Sequence, residues 1–136
     1  MLTLLFINFI GGMKYNLDYN FVVIVGENGT RTPCVNVLPQ LEMISHVAKY
    51  PYVNPKTLDN TIQAIEDAII SQTSFSFSGD DWCTVTVKGD LAEVVNPFDE
   101  VEPFEVDIRV VLEMMKGWKA FIHKYENGEV PGLSKL

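Results

Sequence analysis

The chain has 136 residues, 47% of them hydrophobic and 21% charged, with ten basic against eighteen acidic side chains and a formal net charge of −8. That length predicts one domain able to bury roughly two-thirds of its unfolded surface. The Lys and Arg side chains are few and scattered, which excludes partners held by their phosphates, both nucleic acid and anionic membrane.

Residues 2–10 (LTLLFINFI) are apolar, but a bilayer span takes about 20 residues, and this run is nine. No base precedes it and no small-x-small cleavage site follows, against a signal peptide. Two readings fit: an edge strand, or residues upstream of a true start at Met13. The second is favoured because everything after Lys14 reads as self-sufficient, so 13–136 is taken as the domain and 1–12 as an apolar extension.

Residues 21–25 (FVVIV) are apolar on both faces, as in a central strand covered on both sides. Asn28-Gly29 predicts a hairpin turn with both residues at positive φ. The chain returns over 31–37, with Pro33 placing that strand near an edge. A short helix is expected over 38–50, with Pro39 in its first turn and Leu41, Ile44, Val47 and Ala48 on one face. Asn54-Pro55 is a cap followed by proline at the first helical position. Leu58, Ile62, Ile65 and Ile69 then recur at helical spacing over 55–71, with Asp59, Glu66 and Asp67 off that stripe.

From Ser74 the period becomes two. Phe75 and Phe77 alternate with serines, Gly79-Asp80-Asp81 turns, and Cys83, Val85 and Val87 alternate with Thr84 and Thr86. Lys88-Gly89-Asp90 turns again into 91–95, completing an antiparallel meander with one polar face. Residues 96–103 read as a loop. A last helix is expected over 107–125, capped by Asp107 and stopped by Gly128, with a stripe of Ile108, Val111, Met115, Trp118, Ile122 and Tyr125. Gly117 within it costs about 1 kcal/mol relative to Ala, which points to close approach by another element. The fold class expected is α+β, a mainly antiparallel sheet of about five strands with three helices packed on it.

Reactive groups are sparse. His46 and His123 lack any neighbouring metal signature, and there is no nucleophile elbow, Walker loop or dinucleotide fingerprint. The reading is a non-enzymatic protein with no catalytic residue, no cofactor and no metal. Cys34 and Cys83, far apart in sequence, read as free thiols suited to a reducing cytoplasm. Asp80, Asp81 and Asp90 could ligate a hard cation, which keeps a small metal-binding enzyme as an alternative, but aspartates beside glycine are also ordinary turn formers. Trp82, directly after two acids, reads either as an exposed hot-spot aromatic or as a buried ring.

Charge is the strongest pattern. Residues 59–107 hold twelve acids against one base, Lys88, a net of −11, whereas the segments on either side are slightly positive. A field of one sign steers basic ligands.

The C-terminal pattern Trp118-x-x-Phe121-x-x-x-Tyr125-Glu126-x-Gly128-x-x-Pro131-Gly132, after a long helix and an acidic loop, resembles the ending of small bacterial immunity proteins. These accompany polymorphic or contact-dependent growth inhibition toxins, and the likeness covers about 14–133 in outline. The resemblance implies a protein that blocks a cognate toxin domain, often a basic nuclease, and carries over no site residues. Together with the charge it makes the expected function neutralisation of such a domain, with Asp80, Asp81, Trp82, Asp99, Glu100 and Glu102 as the binding residues. An acidic adaptor or subunit for a basic host protein is the second alternative. No oligomeric state is assigned.

Overall fold

The computed structural model describes residues 3–11, 19–37, 39–48, 55–78, 82–98 and 100–130. Strand β1 (Thr3–Gly11) runs antiparallel to β2 (Tyr19–Val25), which pairs on its other side with β3 (Arg31–Val37). The FVVIV run is thus the middle of a sheet. Phe21, Val22 and Val23 are all buried, although successive strand side chains point to opposite faces. Most of the apolar N-terminal run thus lies in a strand at the edge of this sheet.

The β2–β3 turn corrects the expected geometry. Gly29 N–H donates to Gly26 O at 3.0 Å, Gly26 N–H donates to Thr30 O at 2.8 Å, and within the turn only Gly29 has positive φ, at 81°. Asn28 closes the turn with its side chain instead, its Oδ1 accepting from Thr30 N–H at 3.1 Å. A longer, bulged turn needs one left-handed residue rather than two.

Pro39–Ala48 is a 3-10 helix, not an α-helix. With three residues per turn, Leu41, Ile44 and Val47 fall in one row, so the tighter winding aligns the apolar positions. Ile44, Val47 and Ala48 are buried; the side chain of Leu41 lies outside the described set. Helix α1 (Pro55–Ser71) has the expected stripe, with Leu58, Ile62 and Ile65 buried and Ile69 packed beside them.

A second antiparallel sheet follows, in the order β4 (Phe75–Ser78), β5 (Thr84–Lys88), β6 (Leu91–Val95), β7 (Phe104–Asp107). The fold is α+β, but the expected single sheet of about five strands with three helices is corrected. The described residues form sheets of three and four strands, two α-helices and one 3-10 helix. The two helical segments carry the chain away from β3, so the meander builds its own sheet. Strand β7 was not expected: Phe104 and Val106 face inward in alternation with Glu105, too short a pattern to stand out beside a loop. The polar face of the meander is as expected, with hydroxyl contacts between Ser76 and Thr86 at 2.9 Å.

Helix α2 (Ile108–Glu126) packs against both sheets, α1 and the 3-10 helix. Its buried set, Ile108, Val110, Val111, Met114, Met115, Trp118, Phe121 and Ile122, is wider than one stripe because several elements cover it. Asp107 caps it, the carboxylate accepting from Arg109 N–H at 2.8 Å. At the other end Gly128, with φ of 70°, donates its N–H to Tyr125 O, and Glu129 N–H donates to Lys124 O. Both bonds satisfy terminal carbonyls of the helix. Among the described residues no helix is long and apolar enough to cross a membrane. Asn54, Gly79, Asp80, Asp81, Asp99, Pro131 and Gly132 lie outside the described residues.

Candidate partner-binding surface

The pairing of Thr84 with Val95 brings together the chain entering β5 and the chain leaving β6. One residue joins them. Asn96 is 1% exposed, and its amide is satisfied on both sides: Nδ2 donates to Trp82 O at 3.2 Å, while Oδ1 accepts from Phe98 N–H at 2.8 Å and Glu100 N–H at 3.2 Å. A buried amide must be hydrogen-bonded, and here meeting that demand winds the loop into a fixed turn.

The turn presents Phe98, which is 60% exposed, to the half-buried ring of Trp82. Their centroids are 6.3 Å apart with the planes inclined by 41°. On the Trp82 ring His46 also packs, at 6.3 Å and 43°. Val101, half-buried against the core, anchors the far side of the loop. Glu100 and Glu102 are exposed beyond it.

Of the six residues expected to bind a partner, Trp82 and Glu100 are linked through Asn96, and Glu102 is exposed two residues further on. Asp80, Asp81 and Asp99 lie outside the described residues. Trp82 is neither of the two extremes expected for it: its ring packs on the core and keeps a part of its surface exposed. Phe98 and Asn96 belong to the loop expected to bind but were not singled out within it. A phenylalanine directly after the turn-forming Asn96-Pro97, in an acidic loop, was the available signal.

The acidic run is less uniform in space than in sequence. Asp59 pairs with Lys119, Glu66 with Lys116 at 3.6 Å, Glu93 with Lys88 at 3.3 Å, and Asp107 with Arg109. Arg109 holds the Asp107 carboxyl below the usual range, first through its side-chain hydrogen bonds and then through its backbone bond and charge. Among the described residues, Asp67, Asp90, Glu100, Glu102 and Glu105 have no such partner, and of these Glu100 belongs to the turn held by Asn96. Asp90 does not join it. That residue turns the opposite end of the β5–β6 hairpin, about 17 Å of strand away, where its carbonyl accepts from Ile108 N–H at 3.0 Å.

A separate cleft of about 400 Å³ is floored by Leu58, Trp118 and Ile122. Of its three lysines, Lys116 and Lys119 are those already paired with α1, and Glu126 and Glu129 line it beside Lys124, so it presents no single sign of charge. Among the described residues no group of three His, Cys, Asp or Glu side chains is placed to hold a metal ion, and Cys34 and Cys83 form no disulfide. No family model, curated protein or solved structure matches the chain.

Proposed function

We propose that this chain is an immunity-type protein of the bacterial cytoplasm that binds and neutralises a basic toxin domain, with nuclease activity as the activity blocked. The observation that carries this reading is the exposed Phe98 ring set against Trp82 on a turn tied down by Asn96, with Glu100 bonded to the same turn and Glu102 exposed two residues on, neither carrying an ion pair among the described residues. Aromatic side chains in a pre-ordered turn contribute affinity at small entropic cost. Carboxylates around them raise the rate of encounter with a basic surface and can occupy positions that a nuclease keeps for phosphates. Nothing in this role calls for a cofactor.

The partner to test is the C-terminal domain encoded by the adjacent upstream gene. The chain should inhibit that domain at one-to-one stoichiometry. Replacing Asp99, Glu100 and Glu102 with their amides should slow association and flatten its salt dependence between low salt and ~0.5 M, where screening is stronger. Asp80→Lys with Asp81→Lys should weaken binding further by placing like charge before the partner. A domain that binds without losing activity would favour the acidic adaptor; no binding at all would remove the toxin reading.

A further inference from the structure

Resting on that reading, we infer that Trp82, Phe98 and Glu100 form a seat for one arginine side chain of the protein partner. The two rings are inclined by 41° with centroids 6.3 Å apart, too open for face-to-face stacking on one another. Phe98 is 60% exposed and so keeps ring surface for a ligand. Trp82 is itself held in place by the packing of His46 on its ring and by the bond from Asn96 to its carbonyl.

The anionic component is carried by the same turn. Phe98 and Glu100 donate their backbone N–H groups to one oxygen, Asn96 Oδ1, so the ring and the carboxylate spring from backbone that converges on one atom. The Glu100 side chain is exposed and has no ion pair among the described residues. An aromatic face beside an unpaired carboxylate matches a guanidinium: it is flat, weakly hydrated, stacks on rings, and presents forked donors to a carboxylate. A lysine ammonium is a compact, strongly hydrated charge and uses this pair of features less well. Asn96 is a positioning residue here; it fixes the turn and touches no ligand.

The test is an NMR titration of the full chain with N-acetyl-arginine amide, using the lysine and leucine counterparts as comparisons, at low salt. The arginine derivative should give saturable shifts at the Trp82 indole N–H and the Phe98 ring, and bind roughly threefold or more tightly than the other two. Phe98→Leu and Glu100→Gln, both at exposed positions, should each weaken that binding several-fold with the rest of the spectrum unchanged. Leucine binding as tightly as arginine, or arginine shifts that fail to saturate or map elsewhere, would overturn the seat. The two readings fail separately. Inhibition of the toxin domain without any arginine response removes the seat alone, whereas an intact arginine response without inhibition removes the toxin partner and leaves the seat standing.

Discussion

The ring of Phe21 on β2 lies directly against the backbone of Gly117 in α2: a Cβ added at Gly117 would stand 3.0 Å from both Cε2 and Cζ of that ring. Phe21 has little room to withdraw, being 1% exposed, stacked on Phe121 at 5.4 Å and tilted against Trp118 at 5.9 Å. Gly117→Ala should therefore behave unlike an ordinary helix substitution. The gain of about 1 kcal/mol in helix propensity is opposed by overpacking that costs 1–3 kcal/mol, and a net destabilisation of about 1 kcal/mol is expected by urea unfolding. Trp118→Ala in the same cluster removes a fully buried ring and should cost about 3–5 kcal/mol. A stabilised Gly117→Ala would mean that Phe21 can move aside.

Removal of residues 1–12 tests whether β1 is integral. The sequence favoured a domain that folds without them, but Thr3 to Ile7 pair in register with Val25 to Phe21, and β1 also touches α2. Without β1, the buried strand β2 becomes an edge, with ladder groups open along one side. The truncated chain should lose more than ~2 kcal/mol, the scale of one well-buried large side chain, and should tend to self-associate in sedimentation measurements.

The first turn of α2 should report on acid. Asp107→Ala removes the cap and should cost about 1 kcal/mol at neutral pH. Arg109 lowers the folded-state pKa of Asp107, so its contribution is present above the ordinary aspartate range and is lost as pH falls through the folded value. The stability difference between parent and variant should accordingly be full at pH 6 and shrink below about pH 4.

Tyr19 should report on alkali. Burial, with the charge of Glu113 adding to it, pushes its hydroxyl up to about 12. The folded chain then keeps a proton that the unfolded chain releases near pH 10. Stability from this group is complete below that pH and is lost as pH rises towards 12, a change on the order of 2 kcal/mol. Tyr19→Phe should show a smaller fall than the parent between pH 9 and pH 11.5. Equal slopes would place the Tyr19 hydroxyl in water.

The features readable from the sequence are those set within a few residues. The stripe of α1, the Asp107 cap, the Gly128 stop and the alternation through β5 all depend on neighbours no more than four positions away, where helix and strand periodicities act. Even the close approach at Gly117 left a local trace, a glycine where the helix would be better served by alanine. Other relations between distant segments left none. Strand β7 exists because β6 offers it an edge, and Asp107 both ends that strand opposite Leu91 and begins α2. The uniform acidity of 59–107 is broken in space because α2 brings Lys116 and Lys119 to α1. Trp82 and Phe98 form a pair only because β5 and β6 align their ends and Asn96 spans the gap. Charge and ring contacts act through space, so chain order revealed the residue types of the candidate surface, while strand pairing decided which of them meet.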